Sequence, residues 1–228
     1  MKKIIVRALI YLLPLLLICT TAGAKTAKYA ALTFDDGPSG VITMELLEGL
    51  RERDIRATFF LCCYRIEDYP QVVREMAKDG HEIGIHGCSH EYFTRLSREQ
   101  LLQELEHTAD CIQQQAGQEP NLVRPPGGIY NRDVAETVKD EGSSMILWSL
   151  DPEDWDSKKR KHAAEHIVNN LKSGDIVLLH DLSRDNVRAA LNAADRLREQ
   201  GWQFVTVSRL AEIAGVTLEA GGIYRSFP

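Results

Sequence analysis

Residues 29–61 read YAALTFDDGPSGVITMELLEGLRERDIRATFFL. Tyr29–Phe34 and Ala57–Leu61 are short apolar runs typical of buried strands, and Val41–Arg53 between them has the spacing of an amphipathic helix. This order predicts two parallel strands, because parallel neighbours need a crossover connection that is usually helical.

The same alternation continues along the chain. Further strands are predicted at Glu82–Ile85, Asn121–Arg124, Met145–Leu150, Asp175–His180 and Gln203–Val207, and further helices at Pro70–Asp79, Ser97–Ala116, Arg132–Glu141, Ala163–Leu171 and Asn186–Gln200. The pattern indicates an α/β fold with a parallel sheet curled into a barrel, and an open doubly wound sheet is the alternative. In both folds the functional side chains lie at the carboxyl ends of the strands.

The beginning of the chain differs from the rest. Lysines precede an apolar run over residues 8–18, and the small residues 22–24 form a cleavage site for signal peptidase. Residues 1–24 are therefore predicted to be a signal peptide, with an uncleaved membrane anchor as the alternative. We expect residues 25–228 to form one domain outside the cytoplasm, secreted or in the cell envelope, with membrane contact only through the N-terminal segment.

Composition excludes several classes of protein. The chain is 44% hydrophobic, carries a net charge of −6 and has no low-complexity tract, which excludes a disordered chain, collagen or a coiled coil. Its one basic run, residues 158–161, is short. Nucleic acid is therefore not an expected partner.

Two carboxylates follow the first strand, and two histidines follow the third. Asp35 and Asp36 are adjacent, so on an extended strand their side chains point in opposite directions, and one can bind a metal while the other acts as a base. His86 and His90 lie four residues apart in a loop and can close on one ion. One carboxylate and two imidazoles leave open coordination positions, as catalytic sites do. A simple turn at residues 35–38 is the alternative.

Three more strand ends carry polar residues. Arg124 precedes two prolines and two glycines, Asp151–Trp155 follows the fifth strand, and the sixth ends in Leu178–His180. Each group alone could be structural. Five on successive strand ends favour a shared site.

These segments together resemble a known family. In order, Thr33–Pro38, His86–His90, Arg124–Gly128, Asp151–Trp155 and Leu178–His180 are similar to the five motifs of the polysaccharide deacetylases, carbohydrate esterase family 4, with the homology domain of the nodulation chitooligosaccharide deacetylase. The resemblance covers nearly all of residues 25–228. It implies a distorted (β/α) barrel with seven or eight parallel strands.

The resemblance also implies a cofactor and its neighbours. One divalent ion, zinc first and cobalt, nickel or manganese as alternatives, would be held by Asp36, His86 and His90. Asp35 would be the general base that activates water, and Arg124 would form an ion pair with it.

The other roles concern the leaving group and the substrate. His180 would be the general acid that protonates the leaving amine, with Asp151 supporting it. Trp155 and Leu178 would line the acetyl pocket, and Gly127 would offer a backbone N–H to the oxyanion. Gly127 departs from the tyrosine common in the family and contributes no ring wall, so the cleft is expected to be more open or differently selective.

Another departure and the cysteines concern the loops. Gly87 replaces a Ser or Thr that usually braces the histidine loop, residues 86–90. The cysteines beyond residue 24 are consistent with free thiols or disulfides, and they match no zinc module. One hypothesis pairs Cys62 or Cys63 with Cys88, with free thiols as the favoured alternative.

Three histidine-containing positions are interpreted as unrelated to the site. His162–His166 has the H-x-x-E-H pattern of inverted zinc peptidases, but no downstream glutamate helix is evident, and an exposed helix face is the favoured interpretation. His81 and His107 are interpreted as packing or surface residues.

The sequence thus predicts a metal-dependent hydrolase that removes N-acetyl groups from N-acetylglucosamine units of peptidoglycan or a chitin-like polysaccharide. An O-acetyl esterase acting on xylan or a similar glycan is the alternative, because the same machinery cleaves esters. An inactive glycan-binding domain is the more distant alternative. The acetylated polysaccharide is the expected partner, and the oligomeric state is left open.

Overall fold

The structure is a computed structural model that describes residues 27–228. The predicted signal peptide or anchor, residues 1–24, lies outside the described residues. Every helix within residues 27–228 is too short or too polar to cross a bilayer.

Helices and strands alternate along most of the chain. The strands are β1 (Lys28–Gly37), β2 (Thr58–Leu61), β3 (Glu82–Ile85), β4 (Leu122–Val123), β5 (Ser144–Ile146), β6 (Ile176–His180), β7 (Trp202–Phe204) and β8 (Ile223–Tyr224). The helices are α1 (Val41–Glu52), α2 (Cys63–Asp68), α3 (Pro70–Lys78), α4 (Arg98–Ala116), α5 (Arg132–Asp140), α6 (Ala163–Asn170), α7 (Arg184–Glu199) and α8 (Val207–Ile213). All seven predicted strands are present, whereas α2, α8 and β8 were not predicted.

The strands form one parallel sheet in the order β6-β1-β2-β3-β4-β5-β8, with β7 pairing with the start of β1. Its two edges approach each other, since Leu150 forms a parallel bridge with Val177 and Asp175 an antiparallel bridge with Ser226. The sheet is therefore curled, which confirms the predicted distorted (β/α) barrel and excludes the open alternative.

Side chains of β1 alternate between the two faces of the sheet, as strand geometry requires. Ala30, Leu32 and Phe34 pack in the main core, which includes residues of the surrounding helices. Ala31 packs in a second core cluster inside the curl. By the same alternation Asp35 points into the curl, where the site lies.

The cysteine pairing differs from the hypothesis. Cys63 forms a disulfide with Cys111, with their Cα atoms 6.2 Å apart, while Cys62 and Cys88 are free. The predicted partner Cys88 is wrong because Cys63 begins α2, which packs against α4, the helix that carries Cys111.

Candidate active site

A cleft of about 400 Å³ opens at the carboxyl ends of the strands. It is lined by Asp35, Asp36, His86, His90, Tyr92, Gly127, Trp148, Asp151, Trp155, Leu178 and His180. The fold therefore brings together every predicted site residue except Arg124, which is buried beneath the cleft.

Asp36 breaks the regular geometry of its strand. Its φ is 69°, and the register between β1 and β2 shifts between Asp35 and Gly37. A positive φ is unfavourable for a residue other than glycine and is often found at functional sites. It turns the Asp36 carboxylate to the same side as Asp35, so the prediction that the two point in opposite directions is wrong.

Three side chains could hold a metal ion. Asp36 Oδ1 lies 3.3 Å from His86 Nε2 and 3.0 Å from His90 Nε2. His86 Nδ1 lies 2.6 Å from the backbone oxygen of Arg124, so Nδ1 carries the proton and Nε2 presents its lone pair to the cleft. Asp36 Oδ1 is buried and has no hydrogen-bond donor. These donors fit a divalent ion with open coordination positions.

The electrostatics of Asp36 agree with that fit. Burial opposes its ionisation, but the adjacent imidazoles of His86 and His90 outweigh burial and lower its pKa far below the ordinary range. The pKa of His90 is raised, mainly by the Asp36 carboxylate beside it. Asp36 is therefore an anionic donor at any pH at which the protein would work.

Arg124 is fully buried and connects β1 to the chain at residues 146 and 147. Its Nη1 donates to Asp35 Oδ1 and to Thr33 Oγ1, each at 2.7 Å, and the guanidinium stacks on Phe60 with its central carbon 4.1 Å from the ring centroid. Its Nε and Nη2 donate to backbone oxygens of residues 146 and 147. The implied ion pair with Asp35 is present, and the guanidinium, held by its other hydrogen bonds, fixes the orientation of that carboxylate.

His180 faces Asp35 across the pairing of β1 with β6. Its Nδ1 lies 2.7 Å from Asp154 Oδ1, while Nε2 faces the cleft, 4.0 Å from Asp36 Oδ2. The predicted support by Asp151 is wrong. Asp151 Oδ1 accepts a hydrogen bond from the backbone N–H of Glu153 instead, because the chain turns there and brings Asp154 under the histidine.

Asp154 is itself firmly held. It is fully buried, and its Oδ2 accepts hydrogen bonds from the His180 backbone N–H and from Asn186 Nδ2. Burial tends to lower the pKa of His180, but the hydrogen bond and charge of Asp154, with smaller effects of Asp35 and Asp36, raise it from 6.5 to about 9. His180 therefore carries a proton at neutral pH.

Asp154→Asn should lower the pKa of His180 below its ordinary value, because burial would then act with little opposition. In the native protein the raised pKa stabilises the fold below pH 6.5, and this stabilisation is lost as the pH rises towards 9. The free energy of unfolding should decline over that window in the native chain and not in the variant. NMR titration of His180 with denaturant unfolding at several pH values measures both, and an unchanged histidine pKa in the variant would contradict the assignment.

Comparison with known proteins agrees with this geometry. The sequence profile of the family described as polysaccharide deacetylase matches residues 22–146. This chain belongs to the polysaccharide deacetylase family. It is 40% identical over 188 residues to the peptidoglycan-N-acetylglucosamine deacetylase of Bacillus cereus, with 80% of this chain and 88% of that one covered.

Two further relatives differ from the Bacillus cereus protein in the share of their length that this chain covers or in the substrate for which they are named. The peptidoglycan-N-acetylmuramic acid deacetylase PdaC of Bacillus subtilis is 38% identical over 186 residues, which cover 82% of this chain but only 39% of that protein. The solved structure of a family 4 acetyl xylan esterase from Clostridium thermocellum, in complex with a cobalt ion, has a TM-score of 0.82 at 30% identity and covers 88% of this chain and all of that one.

The missing ring at Gly127 is supplied from elsewhere. A Cβ on Gly127 would lie 3.1 Å from Cε1 of Tyr92, so the tyrosine ring occupies the space beside this glycine. Trp148 approaches Gly128 in the same way, and both aromatic rings line the cleft. The cleft is therefore not more open beside Gly127, and that part of the expectation is wrong, whereas a different selectivity stays a prediction. Tyr92 lies in a loop that carries no family motif, so sequence reasoning had no signal for it.

The histidine loop is also braced differently from the family pattern. Glu104 of α4 accepts hydrogen bonds from the backbone N–H groups of Cys88 and Ser89, at 2.5 and 2.8 Å. At Gly87, where φ is 92°, a Cβ would lie 2.8 Å from the Phe93 ring. The glycine is thus required by close packing, and the glutamate replaces the absent hydroxyl.

The H-x-x-E-H segment lies away from the cleft. His162 and His166 are exposed, and Glu165 pairs with Arg196 of α7. This arrangement is the exposed helix face favoured by the sequence.

Proposed function

We propose that this protein is a metal-dependent N-deacetylase of peptidoglycan, acting in the cell envelope outside the cytoplasm. One observation carries this proposal: Asp36, His86 and His90, which could hold a metal, lie next to Asp35 and His180. Asp35 and His180 are each held by a buried partner, Arg124 and Asp154. A divalent ion bound by the three donors would supply Lewis-acid activation of water and of the acetyl carbonyl. Zinc is the first candidate, since two imidazoles and a carboxylate suit it.

The protein's own residues carry the proton transfers. Asp35 takes the proton from the attacking water, because its carboxylate is fixed by Arg124 and lies 3.8 Å from His86 Nε2, next to the metal donors. His180 gives its Nε2 proton to the nitrogen that leaves, and Asp154 stabilises the charged imidazole. Acetate and a free amine on the sugar are the products.

The substrate groove is formed by aromatic and apolar side chains. Trp155 is 54% exposed at the rim, where an indole can stack on a sugar ring, and Leu178 is buried at the cleft wall. The backbone at Gly127 borders the same space, and we assign its N–H to the acetyl oxygen. Peptidoglycan leads because relatives over most of this chain are named for it.

Removal of the metal should abolish activity. After dialysis against a chelator, acetate release from peptidoglycan should fall to background, and zinc or cobalt should restore it, since water at neutral pH is too weak a nucleophile without Lewis-acid activation. Acetate is measured enzymatically, and metal content by mass spectrometry. Replacing His162 and His166 together with alanine is the matched control and should leave metal content and activity unchanged. Full activity in a verified metal-free sample would refute the proposal.

An O-acetyl esterase is the second candidate, favoured by the close structural match to an acetyl xylan esterase. Acetate release from peptidoglycan, chitooligosaccharides and acetylated xylan compared side by side decides between the two. Turnover of xylan alone would replace the first proposal with the second.

A further inference from the structure

A second cluster of metal-binding side chains lies between α2 and α4, apart from the cleft. Cys63 and Glu67 lie one turn apart on α2, and His107 and Cys111 one turn apart on α4. Side chains four residues apart on a helix share one face, so each helix presents a pair. One ligand atom from each of the four side chains lies within 4.8 Å of all the others.

The spacing of the ligand atoms is close to that of a tetrahedral site. Glu67 Oε1 lies 3.4 Å from His107 Nε2 and 3.8 Å from Cys63 Sγ. Zinc bonds of about 2.0 Å to nitrogen or oxygen and about 2.3 Å to sulfur put neighbouring ligand atoms about 3.3–3.8 Å apart. The two sulfurs, joined as a disulfide, would have to separate, and every other pair of ligand atoms already lies within 4.8 Å.

The cluster is accessible to an ion from solvent. The side chains of His107 and Glu67 are 54% and 59% exposed, and a cavity of about 310 Å³ is lined by Glu67, His107 and Cys111. A disulfide alone needs neither an imidazole nor a carboxylate. The Glu67 carboxylate on α2 and the His107 imidazole on α4 nevertheless each place an atom within 4.8 Å of both sulfurs.

We propose that Cys63, Glu67, His107 and Cys111 bind one zinc ion when the disulfide is reduced. Reduction by a water-soluble phosphine gives two electrons to the S–S bond. The phosphine takes the oxygen of one water and becomes the phosphine oxide, while the two protons of that water yield two thiols. Both thiols release their protons to solvent when zinc binds. Two thiolates, one carboxylate and a neutral imidazole then hold the ion.

Either cross-link would join the helices that hold the histidine loop. The Cys63 backbone N–H at the start of α2 donates to the Gly87 oxygen, and Glu104 on α4 accepts from the Cys88 N–H. The second site therefore lies behind the loop that carries His86 and His90. The disulfide would join α2 and α4 under oxidising conditions, and the zinc ion would join them under reducing conditions. Either cross-link would restrain the histidine loop.

The test uses the full chain with cobalt(II) as the probe, under anaerobic conditions with and without a phosphine. The active-site donors include no sulfur, so a thiolate-to-cobalt charge-transfer band in the near ultraviolet cannot come from the Asp36, His86 and His90 site. We expect one equivalent of cobalt and no such band in the oxidised protein, and two equivalents with the band after reduction. A reduced protein that binds one equivalent without the band would overturn the proposal.

Two exposed ligands supply variants that should not disturb folding. His107→Ala and Glu67→Gln should each raise the dissociation constant for cobalt at the second site at least about tenfold, since even a ligand's hydrogen-bond partner is worth about 10–100-fold. His166→Ala and Asp110→Asn are the matched controls and should leave it unchanged. Wild-type affinity in His107→Ala would mean that the two sulfurs bind cobalt without the imidazole, and the assignment would fail.

The remaining thiols need their own control. Cys88→Ser should retain the charge-transfer band, because Cys88 lies outside the four-residue cluster. Loss of the band in Cys88→Ser with its retention in Cys111→Ser would also overturn the assignment. All these measurements read metal binding alone, so they remain valid whatever the outcome for the proposed deacetylase activity.

Discussion

Replacing Asp35 with asparagine should lower kcat by about two to four orders of magnitude, the usual contribution of a positioned acid or base. Asparagine has the same shape and still accepts the hydrogen bond from Arg124 Nη1, but it cannot take a proton from water. The bound metal should stay, because Asp36 and the two histidines are untouched. Acetate release measured beside metal content tests both expectations.

The same substitution should also cost stability. It leaves the fully buried Arg124 without its counter-charge, and breaking a buried ion pair costs up to about 3–5 kcal/mol. Circular dichroism and thermal unfolding must therefore show that the variant is folded at the assay temperature. Asp133→Asn, at an exposed carboxylate in the first turn of α5, is the matched control and should keep full turnover.

Asp36→Ala should have the opposite signature. It removes the carboxylate ligand that lies beside His86 and His90, so metal affinity should fall. Excess ion should recover part of the activity, because the two histidines remain. If Asp35→Asn lost the metal while Asp36→Ala retained it, the two roles would have to be exchanged. If both variants kept full turnover, the hydrolytic interpretation of the cleft would be wrong.

The strands and long helices could be predicted because their patterns are local. Apolar runs such as Ala57–Leu61 and amphipathic stretches such as Ser97–Ala116 follow from the periodicities of strand and helix. The elements that were missed are short. Helix α2 has six residues and β8 has two, so neither shows a full period, and β8 exists only because the curled sheet brings it beside β5.

The membership of the site could be predicted better than its geometry. The residue types at the strand ends indicated a common cleft, and Asp35, Asp36, His86, His90 and His180 do line it. What the sequence could not provide were backbone conformations and contacts between segments. The positive φ of Asp36 is set by the register shift beside β2, and strict strand alternation could not anticipate it.

The exchange of Asp151 for Asp154 has the same origin. Both carboxylates lie in one short segment after β5, and either could reach β6 if only sequence distance counted. The turn at residues 151–153 and the hydrogen bonds from Asn186 on α7 select Asp154. Long-range contacts of this kind carry no local sequence signal. The Cys63–Cys111 pairing depends in the same way on the packing of α2 against α4.

His180→Ala should separate amide from ester hydrolysis. For acetylated peptidoglycan, kcat should fall by about two to four orders of magnitude, because an amine leaves only when it is protonated and His180 is the proton donor. For 4-nitrophenyl acetate the loss should be much smaller, since a phenoxide leaves without a proton. Metal content should not change, because His180 Nε2 lies 4.0 Å from Asp36 Oδ2 and is not among the three donors.

His180→Gln, which fills more of the same space, separates the loss of the proton from the loss of packing. An equal loss on amide and ester would mean that His180 positions the substrate or stabilises the oxyanion, and the leaving-group proton would then have to come from another group in the cleft.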